Sequence, residues 1–326
     1  MEEFVGEPIS SEDELWELLN KIISDPEGVS AYAPVEITSW ENQLLYFPNE
    51  EVGHSIRPAI AKAVTDFHAS LSKAYAIALY GQSSRIVLKR EDKEALDLIL
   101  LVTDGSTGLV PLAKAIERLA NTMRDKLTGK QVTAIIVVMI LVYFGESVAK
   151  QYFAAELEAK SEKIEADERI ELSKQETERM RLVTEAFKRF GLPTDIIDEA
   201  EDGLRGLTKP ATNNDRTHVR GVPLTKRQAL TILSGKAKEK EGRRLDGEYR
   251  VLDINTESDE GYIVRLQAVD TTEEFNAFAN YAELSQEDIH VIFEVAEEKS
   301  VMHGLVNAFF VGDKISRAYI VRANKL

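Results

Sequence analysis

From Val132 to Phe144 the chain reads Val-Thr-Ala-Ile-Ile-Val-Val-Met-Ile-Leu-Val-Tyr-Phe, with no charge and with apolar residues on every helical face. A helix of that pattern needs cover all round. Thr128 and Gln131, three apart, form a capping-box pair that predicts its start at Gly129. Such a run reaches roughly 20 Å at ~1.5 Å per residue, against a hydrocarbon core of ~30 Å. Extending it to Ala149 lengthens the span but brings in Glu146, at a cost of a few kcal/mol in lipid. Two covers are open to it: protein, as a second subunit or a helical hairpin, or a membrane. In either case Val132, Ile135, Ile136, Val138, Met139, Val142 and Tyr143 are the expected contacts.

Elsewhere the period changes along the chain. Leu15, Leu18, Leu19 and Ile22 follow a Ser10-Ser11 cap at helical spacing and stop at Asp25-Pro26-Glu27-Gly28. Val35 to Thr38 and Leu44 to Phe47 read as short strands on either side of Trp40. Ile60, Val64, Phe67, Leu71, Tyr75 and Ala78 predict a helix ending at Gly81. Leu96 to Thr103 predicts a strand, and Pro111 opens a helix through Leu127. No helix breaker stands between Phe144 and Gly191, so one helix from Gly129 to Phe190, about 90 Å long, is expected. Its second half is a charged stalk, followed by a short return helix from Asp195 to Gly203.

Lys209 to Arg220 carries Pro210 and two Asn and reads as a linker. Thr225 and Gln228 cap a short helix, and from Leu245 the period becomes two: Tyr249, Val251 and Ile254, then Tyr262, Val264 and Leu266 around a Gly261 turn. Ser285 and Asp288 start a helix, and Val301 to Val311 pairs with Ile315 to Arg322 across Gly312-Asp313. The expected fold is α+β. An N-terminal α+β domain (1–127) precedes a central segment (128–207) of apolar helix (129–153), acidic stalk and helical return. A basic linker with a short helix (208–244) leads to a small C-terminal α+β domain (245–326) with two β-hairpins and a helix.

Cysteine is absent, which removes disulfides, thiolate metal sites and cysteine nucleophiles. The acidic N-terminus lacks the pattern of a secretory signal, so a cytoplasmic location is expected, with membrane association as the alternative. Net charge is −16. Within it, Arg216 to Arg244 holds nine Lys/Arg against two Glu, a local excess that could contact phosphates through Arg216, Arg220, Lys226, Arg227, Arg243 and Arg244. No aromatic residue is interleaved there for base stacking.

Catalytic patterns are sparse. The five histidines form no His-Glu-x-x-His pair. Ser70 and Lys73 match a Ser-x-x-Lys spacing without its companion motifs. Asp104-Gly-Ser-Thr-Gly108, between strand and helix, resembles a phosphate cradle but lacks the Gly-Lys-Ser/Thr ending. Acid pairs such as Asp195/Asp198 and Glu297/Glu298 have no pocket announced around them. No cofactor and no metal is expected, and the chain is read as a non-enzyme.

Ala78-Leu-Tyr-Gly81, Val102-Thr-Asp-Gly-Ser-Thr107 and Thr128-Gly-Lys-Gln-Val-Thr-Ala-Ile-Ile136 together resemble an uncharacterised group of proteins carried by phages and other mobile elements of bacteria. The resemblance spans the middle third and implies a setting, phage–host conflict, with no functional residue attached. The expected function is that of a homo-oligomer binding a protein partner. Membrane association, nucleic-acid binding through 216–244 and an enzyme with an unrecognised site are the alternatives.

Overall fold

The computed structural model describes residues 8–24, 36–37, 42–46, 57–96, 100–103, 106–109, 129–160, 170–213, 217–234 and 240–326. The expected helix from Pro111 to Leu127, Trp40, His54 and the middle of the stalk lie outside these residues. The chain is α+β and divides into two compact units, Met1–Ser72 with Ala95–Lys236, and Lys73–Glu94 with Ala237–Leu326. This division replaces the expected four segments: the boundaries at 127 and 207 fall inside the first unit.

In the first unit the helices are α1 (Glu12–Ser24), the start of α2 (Pro58–Tyr80), α4 (Gly129–Phe144), α5 (Glu146–Lys160), α6 (Lys174–Phe190), α7 (Asp195–Thr208) and α8 (Lys226–Ser234), while the end of α2 and nearly all of α3 (Arg90–Ala95) belong to the second. Strands β1 (Pro8–Ile9) and β2 (Glu36–Ile37) pair in parallel. Strands β3 (Asn42–Tyr46), β4 (Leu100–Thr103), β5 (Ser106–Leu109), β6 (Thr217–Val219) and β7 (Val222–Leu224) form an antiparallel sheet in the order β4-β5-β3-β6-β7. Residues 217–224 are therefore a hairpin of this sheet, where a linker was expected as far as Arg220, and the expected short helix follows as α8.

The apolar helix α4 is covered by its own chain. It packs on α1, α5, α6 and α7, and Phe67 of α2 meets Tyr143 and Phe144 edge-on at 5.8 and 6.0 Å. Val132, Ile135, Ile136, Val138, Met139, Val142 and Tyr143 are all buried, none more than 7% exposed. The expectation that a second subunit or lipid covers these seven gives way to cover within one unit. Among the described residues no single helix is long and apolar enough to cross a membrane; Gln131–Phe144 and Glu146–Ala159 pass that test only as a pair bent by 57°.

That bend is also why no continuous helix runs to Phe190. A side chain on Gly145 would begin 2.5 Å from the Leu141 carbonyl oxygen, and both helix ends at the break are capped by side chains. Arg220 donates from Nη1 to the Val142 carbonyl (3.1 Å) and from Nη2 to that of Gly145 (2.6 Å). Glu12 accepts from the amides of Glu146 (2.7 Å) and Ser147 (3.2 Å), and Trp16 Nε1 donates to it at 2.9 Å. A cation thus sits at the negative end of α4 and an anion at the positive end of α5, each satisfying orphan backbone groups. The chain restarts at α6 through a reciprocal capping box between Ser173 and Glu176.

The second unit is built on a closed barrel. Its strands are β8 (Lys240–Asn255), β9 (Gly261–Ala268), β10 (Glu274–Asn280), β11 (Met302–Val311) and β12 (Lys314–Lys325), with α9 (Gln286–Glu298) between β10 and β11. The order closes as β8-β9-β10-β12-β11-β8; β10 and β12 are parallel and the other pairs antiparallel. Numbered within the barrel that is 1-2-3-5-4-1 with a helix after the third strand, the connectivity of an OB-fold, a five-stranded Greek-key barrel. Tyr249, Val264, Leu266, Ala277, Ile292, Val306, Ala308 and Ile320 fill its core. A side chain on Gly261 would begin 2.2 Å from the Ala279 carbonyl oxygen, so the tight β9–β10 approach there requires glycine.

Candidate functional site

Ser70 is buried; its hydroxyl donates to the Glu199 carbonyl and lies 3.2 Å from Tyr143 Oη, so it ties α2 to α7 and α4 and is not presented as a nucleophile. Of the phosphate-cradle residues, Ser106, Thr107 and Gly108 are paired in strand β5 with β4 and β3. Their backbone groups serve a hairpin, while Asp104 and Gly105 lie outside the described residues. Asp195 and Asp198 sit in the first turn of α7, where acids favour the helix dipole, and Glu298 pairs with Lys325 at 2.8 Å. Among the described residues no group of three or more His, Asp or Glu is placed to hold a metal.

The basic segment does not form one surface. Arg216 lies outside the described residues. Arg220, held at a left-handed φ of 50°, is fully buried and caps α4, which corrects its expected role as a phosphate contact. Burial pushes its guanidinium down to about 9, so it remains charged at neutral pH. Lys226 and Arg227 are exposed at the start of α8, in the first unit, and Arg243 and Arg244 are exposed on β8, in the second. Arg243 is engaged already: it pairs with Glu241 at 2.8 Å, and its guanidinium carbon lies 4.6 Å from the Phe310 ring centre.

Arg244 stands differently. The ladder pairs it with Asn307, which pairs in turn with Tyr319; one step along, Phe309 pairs with Gly242 and with Arg317. On β11 the alternate residues Val306, Ala308 and Phe310 are buried and belong to the core, so Asn307 and Phe309 face outward. Arg317 lies over Phe309 with its guanidinium carbon 4.1 Å from the ring centre, a cation–π contact. Tyr319 meets the same ring edge-on at 6.2 Å. The Phe309 ring also reaches within 3.5 Å of where a side chain on Gly242 would begin. Phe309, Arg317 and Tyr319 are each partly exposed. Arg317 Nε is buried and has no hydrogen-bond acceptor among the described residues. The result is a platform of two rings and a guanidinium, with Arg244 beside it and no carboxylate recorded against either arginine among the described residues.

The stacking partners absent from 216–244 are therefore supplied from 65 residues away, by β11 and β12. The signal was present as Phe309-Phe310 and Arg317-Ala-Tyr319 in the closing hairpin, but only the register brings them to Arg244.

The face of OB-folds most used for ligands lies over the second and third strands with the loop between the first and second, and here part of it, the third strand and that loop, is met by the chain itself. Residues 80–93 run there and on to the fifth strand. Asn276 on β10 donates to the Tyr80 carbonyl at 3.2 Å; Asp259 accepts from the Arg90 amide at 2.8 Å; Lys93 pairs with Glu260 at 2.8 Å. Ser83 donates its amide to the Ser316 carbonyl at 3.3 Å, and Ser84 Oγ lies 3.1 Å from Tyr319 Oη. Asp92, fully buried, ties the segment together by accepting from Tyr80 Oη (2.8 Å) and the Lys89 amide (3.1 Å); burial, then the Asp92 contact, raises the Tyr80 phenol. Val87, Leu88 and Tyr80 are also buried. Exposing three such side chains costs about 5 kcal/mol or more before any hydrogen bond is counted, beyond the 1–3 kcal/mol of typical ligand coupling. The strap is a fixture of the barrel. Compared with family models, with curated proteins and with solved structures, the chain matches none.

Proposed function

We propose that this protein is a non-enzymatic binding protein whose barrel holds single-stranded nucleic acid. The observation that carries the reading is the Arg317–Phe309–Tyr319 platform with Arg244 at its side. Aromatic faces and guanidinium planes stack on unpaired bases at about 1–3 kcal/mol per base, and free arginines meet the intervening phosphates. A duplex hides its base faces, so the platform selects single strands. The acidic body of the chain opposes non-specific adhesion to polyanions, which leaves affinity to this one patch. For a setting we propose phage–host conflict, as the resemblance noted above implies.

The test is fluorescence anisotropy with labelled oligonucleotides of mixed sequence, at 50 mM salt. Wild type should bind a single strand and be displaced poorly by duplex of the same sequence. Phe309→Ala should weaken binding about 5- to 100-fold, the range of one lost base stack, with an unchanged melting temperature. Equal affinity in wild type and Phe309→Ala, or no binding by wild type, overturns the proposal.

A protein partner is the second reading, favoured by Tyr262, Tyr281 and Phe293. Both outer rings meet Tyr262 edge-on at 4.9 Å, and Tyr281 and Phe293 are 44% and 37% exposed. A contiguous aromatic patch of that kind suits self-association. In sedimentation velocity the wild type would then be dimeric and Phe293→Glu monomeric; a monomeric wild type removes this reading.

A further inference from the structure

We propose that the strap over the barrel is a second wall of the binding site, with Arg85 as a cation that extends the ligand path beyond the platform; this rests on the single-strand reading above. In this barrel residues 80–93 lie against the third and fifth strands and the loop between the first and second, so a ligand has to run along the strap's border. That border begins at the platform, because Ser84 Oγ lies 3.1 Å from Tyr319 Oη and the Ser83 amide is bonded to the Ser316 carbonyl, next to Arg317.

Arg85 follows Ser84 directly, in the short 3-10 turn Arg85–Val87. It is exposed, and among the described residues no carboxylate is recorded against it. Other exposed cations of the strap are paired: Arg90 with Glu94 at 2.8 Å and Lys93 with Glu260 at 2.8 Å. In a chain with 56 acids and 40 Lys/Arg, an unpaired arginine one residue from an aromatic platform is the feature that a phosphate contact would use. Buried Val87 and Leu88 and the Asp92 contacts keep the turn in place, so Arg85 is presented without an ordering step on binding.

The experiment is a salt titration of oligonucleotide affinity for wild type, Arg85→Ala and Arg85→Lys. One phosphate contact on a single strand contributes about 0.7 to the slope of log affinity against log salt. Arg85→Ala should weaken binding about 3- to 10-fold at 50 mM salt, lower the slope by roughly that 0.7, and leave the melting temperature unchanged. Arg85→Lys should restore most of the slope. If wild type binds and Phe309→Ala weakens it, but Arg85→Ala changes neither affinity nor slope, the strap is only a cover and this inference is overturned while the platform stands. If wild type binds no single strand, both fall together.

Discussion

Replacing Val138 by Asp is expected to unfold the first unit. Val138 is fully buried in the middle of α4, with helices of the same chain around it, so the new carboxylate has neither water nor a partner. Burying an unpaired charge costs more than ~4 kcal/mol, against a total stability of about 5–15 kcal/mol for a typical domain. Circular dichroism should show loss of most helical signal at 25 °C, whatever the protein concentration and with or without detergent. Leu230→Asp is the control: Leu230 on α8 is 50% exposed, and that variant should melt within a few degrees of wild type. If Val138→Asp instead yields a folded monomer from an oligomeric wild type, α4 is covered by another subunit and the described packing is wrong.

The second large effect is expected at Arg220. Truncation to Ala removes both donors to the Val142 and Gly145 carbonyls and leaves those groups buried beside an emptied volume. Breaking a buried, charge-assisted contact of this kind costs about 3–5 kcal/mol, or a fall in melting temperature of roughly 6–20 °C for a unit of about 200 residues. Arg220→Lys should rescue little, because one ammonium cannot reproduce the fork that spans two carbonyls. A melting temperature unchanged in Arg220→Ala would mean that the bend at Gly145 holds without its cap.

Local chemistry was legible wherever it acts between near neighbours. Thr225 with Gln228, and Ser285 with Asp288, announce helix starts in the sequence and form those boxes in the structure. The two C-terminal hairpins are legible from their alternation. Strand β10 escaped because its inward positions, Phe275, Ala277 and Ala279, are mostly alanines with weak strand preference. Without it the C-terminal region reads as two hairpins and a helix, and barrel closure is invisible. The break at Gly145 was missed for a related reason: a lone glycine inside an apolar run is tolerated in many helices, and here its caps come from Glu12 and Arg220, far off in sequence. Arg220 shows the opposite failure, since a cation in a basic stretch reads as a surface charge until the fold buries it. The platform was illegible because its parts come from three strands, and only the register of β8, β11 and β12 assembles them.

The most direct measurement is photo-crosslinking of the wild-type protein to a single-stranded oligonucleotide carrying 5-iodouracil, with the attached residue identified by mass spectrometry of the digest. A halogenated base crosslinks to the aromatic ring it stacks on, so the account predicts adducts at Phe309 or Tyr319, suppressed by unlabelled single strand and not by duplex. Crosslinks that map instead to Tyr262, Tyr281 and Phe293, or to residues of the first unit around Lys226 and Arg227, would contradict it.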